Sequence, residues 1–401
     1  MTGKGGAWKL GVMDIGIDLI SFHTPSYYLD LRVLAERRGV DPDKFVIGVG
    51  QERMAIPPPD QDIVTLAANA ALPVVEKAGR DGIGLLLFAT ESGIDQSKAA
   101  ALFCHGLLGL PPECRCVELK EACYGGTAAL RLAAAMVAAN PSMKALVLAA
   151  DIARYDLGSS GEPTQGAGAV AMLVTANPRV MALDPETGVH AEDIMDFWRP
   201  NYRAEAFVDG KYSTRMYLTT LIPAWKAYAA ASGRTLADHA HLAFHMPFTK
   251  IAWKSLSRLC RAEGVPEPSA GEAARLLGPA TVWNRITGNT YSACVHEGLC
   301  SLLDNAPEPL DGRRIGFFSY GSGCMAEFYS GVVRPGYRGH VFTDLHRAML
   351  ENRTELTYRQ YEDIFNYGVP QDGGDHVFAP YRGGPFRLAG INEHKRRYEP
   401  R

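Results

Sequence analysis

Residues 114–141 read CRCVELKEACYGGTAALRLAAAMVAANP, and this stretch decides the class of fold. A short run suited to a strand passes through Cys123 into a helix that is small and apolar on nearly every face. Such a helix predicts a buried position, because it keeps no polar side for water. Gly125 and Gly126 allow a tight turn before it, and Thr127 is placed to satisfy free amides at its start. The helix N-terminus favours thiolate over thiol at Cys123, whose backbone N–H is also placed to face a developing oxyanion. Free cysteines are equally common as small packed hydrophobes. At this level Cys123 is either a nucleophile or one more core residue.

Outward from this stretch, apolar runs alternate with helical patterns. GIGLLLFAT (82–90), KALVLAAD (144–151), AVAMLVT (169–175) and RIGFFSYG (314–321) predict central strands covered on both faces. DIVTLAANAALPVVEKAG (62–79), GTAALRLAAAMVAAN (126–140) and the stretch beginning at Met246 predict helices, with Pro247 in the first turn of the last one. The order is that of an α/β protein on a largely buried sheet. LLLFATESG (85–93) and IGFFSYGSG (315–323) leave their strands in the same way, which suggests two related halves, 10–180 and 181–401. Residues 262–282, with a short helical patch, and 368–386 are expected to be loops.

Composition narrows the function. Of 401 residues, 47% are hydrophobic, enough for a large core, and the formal net charge of −3 offers no general attraction to nucleic acid or membrane. The longest apolar stretches, such as AALRLAAAMVAA, stop short of the ~20 residues that a membrane span needs. MTGKGGAWKLG at the start lacks the pattern of a secretory signal, so a cytoplasmic protein is expected. None of the eight cysteines forms a Cys-x-x-Cys pair, which argues against a metal site.

A nucleophilic cysteine needs an acid/base partner. Glu91 directly follows a buried strand, where desolvation raises a carboxyl pKa toward the useful range; taken alone it reads more readily as an exposed loop or helix-start residue. His245 stands between a strand-like run and a helix in apolar surroundings, either structural or catalytic. In the following helix Phe248, Ile251, Ala252, Leu256 and Leu259 form an apolar stripe. Lys250, Lys254, Arg258 and Arg261 form a basic one, fit for coenzyme A phosphates or for plain solvation. The Gly-x-Gly patterns lack the spacing and trailing acid of a dinucleotide site.

Eight motifs then stand in order: ATESGID (89–95), ELKEACYGGTAAL (118–130), GEPTQGAGAVAM (161–172), DFWRPNY (196–202), VDGKYS (208–213), FHMPFTK (244–250), GNTYSA (288–293) and FSYGSGCMAEFYSG (318–331). As a set they resemble the bacterial 3-hydroxy-3-methylglutaryl-CoA synthase family of the thiolase superfamily, over nearly the whole chain. The resemblance implies the thiolase fold: two βαβαβαββ halves stacked as a five-layer αβαβα sandwich, normally a homodimer. It implies that Cys123 takes an acetyl group from acetyl-CoA and that Glu91 deprotonates its methyl. The enolate then attacks acetoacetyl-CoA, which His245 orients, within the mevalonate pathway of isoprenoid biosynthesis. Asn289 and Ser322 match residues that contact the acyl groups, with the Ser322 amide as a second oxyanion donor. Tyr155, Asp151, Asp196 and Thr164 match further substrate-binding positions, and Lys250 and Lys254 match coenzyme A phosphate contacts. Coenzyme A thioesters are substrates in this scheme, and no metal or other cofactor is implied.

The chain departs from the family at 288–294, with Gly-Asn-Thr-Tyr-Ser-Ala-Cys, and at His296 and Glu297, where apolar residues are more usual. Three rivals stand beside this scheme. One is a homologue adding β-branches to polyketides on an acyl carrier protein; the second is a ketoacyl synthase or thiolase, against which Glu91 argues. The third is a non-catalytic acyl-CoA-binding scaffold, against which the retained Cys123, Glu91 and His245 argue.

Overall fold

The structure, a computed structural model, describes residues 13–401; the stretch read for an export signal and positions 10–12 of the N-terminal half lie outside the described residues. The N-terminal half runs β1 (Ile15–His23), α1 (Ile63–Ala78), β2 (Ile83–Ala89), α2 (Ala100–Leu108), β3 (Arg115–Leu119), α3 (Gly125–Ala139), β4 (Lys144–Ala153) and β5 (Gly166–Ala176). Asp62 caps α1 by accepting from the N–H groups of Val64 and Thr65. After the short link 177–180 come β6 (Met181–Ala191), α4 (Gly210–Ser232), β7 (His241–Phe244), α5 (Ile251–Glu263), α6 (Ala270–Thr281), α7 (Cys294–Asn305), β8 (Arg314–Gly321) and β9 (Met325–Val333).

These strands form one hydrogen-bonded array in the order β7-β8-β9-β6-β1-β5-β4-β2-β3. In the first half β2 runs parallel to β3 and β4, and β5 runs antiparallel to β4 and β1. In the second half β7 is parallel to β8, and β9 is antiparallel to β8 and β6. The two patterns coincide, with β6, β7, β8 and β9 in the places of β1, β2, β4 and β5. Among the described residues the copy of β3 is missing. The chain there forms α6, capped at Ser269 by a reciprocal box with Glu272, where the sequence suggested a loop over 262–282. Among the described residues the two halves of this array join at the β1–β6 ladder, which pairs Gly16 with Ala182 and Ile17 with Met181.

Alternation along the strands sorts the core into layers. Leu85, Leu87 and Ala89 of β2 share a cluster with Ala129 and Ala133 of α3, Val295 and Leu299 of α7, and Ile315 and Phe317 of β8. Leu86 and Phe88 turn the other way, onto α1 and α2. Phe318 and Tyr320 of β8 likewise face Tyr217 and Leu221 of α4 and Leu256 of α5. The result is the five-layered thiolase fold, with α3 and α7 as its central layer. Among the described residues only Ala122–Ala139 is long and apolar enough to cross a membrane, and here it supplies that central helix.

Two local expectations need correction. Helix α3 is not covered all round, since Leu132 stays 50% exposed. Helix α5 begins at Ile251, so Pro247 lies in the link that precedes it rather than in its first turn.

Candidate active site

Strand β2 ends at Ala89, and the turn that follows is held by one buried carboxylate. Asp151, near the end of the adjacent β4, accepts from Thr90 Oγ1 at 2.8 Å and from the N–H groups of Glu91 and Ser92 at 2.9 Å each. Its second oxygen accepts from the N–H of Ser292 at 3.0 Å and from Ser292 Oγ at 2.5 Å. This clamp joins the two halves and directs Glu91 onto Cys123, whose Sγ donates to Glu91 Oε1 over 3.1 Å.

Cys123 stands between β3 and α3, directly after Ala122 with φ +41°. The strained left-handed residue is therefore an alanine, and Gly125 and Gly126 are helical. Gly126 is needed for closeness instead: a Cβ there would stand 2.2 Å from the Ser292 carbonyl oxygen. Thr127 is not the cap either; the cap position is Tyr124, and no side chain bonds there.

Electrostatics also revise the resting state of the sulfur. Burial, together with the Asp151 charge, pushes the Glu91 carboxyl up to about 8, against the bond from Cys123 and the nearby Arg199. Burial and the adjacent Glu91 hold the Cys123 thiol well above its ordinary value. The helix dipole does not overcome this, so the resting group is a thiol donating to Glu91 rather than the expected thiolate.

Cys123 opens onto a cavity of about 730 Å3 between the halves. His245, just past β7, is buried on its wall; its N–H donates to Phe318 O at 2.8 Å and its carbonyl accepts from Tyr217 Oη at 2.7 Å. Burial pushes its imidazole down to about 3, so the ring is neutral, and its Nδ1 has no hydrogen-bond partner among the described residues. Asn289 lines the same wall, its Oδ1 accepting from the N–H of Tyr291 at 2.9 Å. Tyr155, Thr164, Ser322 and Lys254 also line it.

Four residues expected at the site do not line the main cavity. Glu91 lies behind Cys123 rather than on the wall. Asp151 and Asp196, read as substrate-binding, are fully buried behind it. Asp196 accepts from Tyr320 Oη (2.8 Å), Ser213 Oγ (2.9 Å) and the N–H of Gly323 (3.0 Å), so it braces two lining side chains. Lys250 faces a separate space of about 250 Å3 with Trp253 and Arg285, while Lys254 stays on the main cavity. A cysteine-first reading missed Lys211, an exposed cation lining the cavity from the start of α4. It missed Tyr291 as well, which packs on Cys123 with φ +43°. Both lie inside quoted motifs, so the motif was the available signal.

Comparison with known proteins fits this geometry. A family model described as hydroxymethylglutaryl-coenzyme A synthase N terminal matches residues 12–179, and its C-terminal counterpart matches residues 181–276 and 269–368. The hydroxymethylglutaryl-CoA synthase of Enterococcus faecalis is 46% identical over 356 residues, covering 88% of this chain and 92% of the relative. A polyketide biosynthesis 3-hydroxy-3-methylglutaryl-ACP synthase of Bacillus subtilis (strain 168) is 33% identical, covering 88% of each. The crystal structure of an HMG-CoA synthase complexed with CoA superposes with a TM-score of 0.92 at 40% identity, covering 97% of this chain and 100% of that one.

Proposed function

The chain belongs to the hydroxymethylglutaryl-CoA synthase family, and from that premise we propose that it condenses acetyl-CoA with acetoacetyl-CoA and water. The products are 3-hydroxy-3-methylglutaryl-CoA and free coenzyme A, in the mevalonate route to isoprenoids. The observation that carries the reading is the 3.1 Å contact of Cys123 Sγ with Glu91 at the wall of a cavity that also holds His245 and Asn289.

In the first step Cys123 Sγ bonds to the acetyl carbonyl carbon, the carbon–sulfur bond to coenzyme A breaks, and the thiol proton ends on the departing sulfur. Backbone N–H groups at Cys123 and Ser322 are the candidate donors to the oxyanion. The thioester acidifies the acetyl methyl, and Glu91 as carboxylate removes one proton. The resulting carbanion bonds to C3 of acetoacetyl-CoA, and the Glu91 proton passes to the new alkoxide. Neutral His245 suits a hydrogen bond to the acetoacetyl oxygen, because it carries no charge to be desolvated. Water then cleaves the Cys123 thioester, giving a carboxylate and the free thiol. These steps move protons and acyl groups and form one carbon–carbon bond without a change of redox state, and so call for no metal or redox cofactor.

Lys211 and Lys254 at the cavity suit coenzyme A phosphates, with Tyr155, Thr164 and Asn289 around the acyl groups. We place the enzyme in the cytoplasm as a homodimer. Its β3 is a free sheet edge among the described residues, with Val117 38% exposed on it and Leu132 50% exposed on α3, which suits pairing with a second copy. A second reading, condensation on a carrier-protein thioester, is favoured by the Bacillus subtilis relative at 33% identity.

Thiol release from acetyl-CoA and consumption of acetoacetyl-CoA, followed for wild type and Cys123→Ala side by side, test the reading. Saturable turnover lost in Cys123→Ala is expected. Activity confined to carrier-bound substrate would favour the second reading, and full activity without the sulfur would end the first.

A further inference from the structure

Glu297, on α7, is a buried acid that the steps above do not use. Its Oε1 accepts from Thr287 Oγ1 and its Oε2 from Thr290 Oγ1, each at 2.5 Å. These threonines bracket Gly288 and Asn289, so one carboxyl group grips both ends of the turn that presents Asn289 to the cavity. The turn has little room to relax: Gly288 has φ +83°, and a Cβ there would stand 1.9 Å from Gln165 O. A second strut comes from Asn284 Nδ2, which donates to Gly288 O (3.0 Å) and to Met246 O (3.2 Å), next to His245.

A carboxyl group in a central apolar layer costs free energy unless it is hydrogen-bonded, and here both oxygens are taken up by the two threonines. Burial lifts it to about 7, opposed by the two threonine bonds and by Arg353. Arg353 is buried too, with Nη1 donating to Ile286 O at 2.9 Å, directly before the gripped turn.

We propose that Glu297 is a positioning residue that clamps the Thr287–Thr290 turn and thereby fixes Asn289 against the acyl group of the second substrate. The proposal rests on the reading of Asn289 as an acyl contact in the condensation.

The test measures acetyl-enzyme formation from acetyl-CoA and the KM for acetoacetyl-CoA in Glu297→Leu, Thr290→Val, Asn289→Ala and the Asn289→Ala/Glu297→Leu double variant. Glu297→Leu should raise that KM about tenfold and leave acetyl-enzyme formation within about twofold. Thr290→Val, nearly isosteric, should move KM the same way by a smaller factor, and decides the matter if Glu297→Leu does not fold. The double variant should be no worse than Asn289→Ala alone. A normal KM in Glu297→Leu or, if that variant does not fold, in Thr290→Val, or losses that multiply in the double variant, overturn the clamp when Asn289→Ala itself raises KM. A normal KM in Asn289→Ala overturns the reading beneath the proposal, and the proposal with it.

Discussion

Glu91 holds the Cys123 proton in place, while burial rather than Cys123 holds the proton of Glu91, and this sets two measurable outcomes. Burial and the Glu91 charge make the thiol less acidic, so removing that carboxylate does not deprive the sulfur of its reactivity. Glu91→Ala should still form acetyl-enzyme from radiolabelled acetyl-CoA while condensation falls by about 100-fold or more. Equal losses in both half-reactions would show that Glu91 serves the acylation as well. The pH dependence follows from the same burial. Glu91 takes a proton only as carboxylate, and its pKa is raised to about 8, so condensation of pre-formed acetyl-enzyme should speed up as pH rises through about 8. A rate already level below that pH would refute the raised value. Both residues stood out in the sequence as candidates, the sulfur at a strand-to-helix junction and the acid at a strand end. The raised Glu91 pKa was legible as well, from its place at the end of a buried strand; the thiol state of Cys123 was not, because it depends on how completely the rest of the chain covers the sulfur.

At the scale of elements, close approach rather than backbone freedom explains Gly126, which is helical. Gly126→Ala would drive a methyl into the Ser292 carbonyl, separating α3 from the turn that carries Asp151's partner. Thermal unfolding should register a loss of about 2–3 kcal/mol, with activity lost in parallel. Gly106 on α2 is a control: an added methyl there would meet nothing within 4 Å, and its φ is not positive. Gly106→Ala should therefore raise stability by about 0.5–1 kcal/mol. Wild-type stability in Gly126→Ala would mean that the backbones can move apart freely. Long apolar strands and the helices beside them were readable from period alone. Helix α6 was readable only as a short helical patch, since its Pro and Gly content imitates a loop until Leu277 and Ala273 find a surface to cover.

For the whole molecule, the duplicated order of strands leaves β3 without a partner on its outer side among the described residues. If a second copy pairs there, the 43.5 kDa chain should sediment as a dimer, and Val117→Lys should shift it toward monomer by placing like charges across the edge. A wild-type monomer would remove this interface. The pattern of residues by itself determined the α/β class, suggested two halves and singled out Cys123, Glu91 and His245 as candidates, because strand period, helix period and contiguous motifs are local properties. Only the tertiary structure decided that Asp151 and Asp196 brace the wall instead of touching the cavity, that Lys254 and Lys250 face different spaces, and that Glu297 grips the Asn289 turn. Each of these depends on which side chains from distant segments meet, and on how much water their meeting excludes, and no local pattern encodes either.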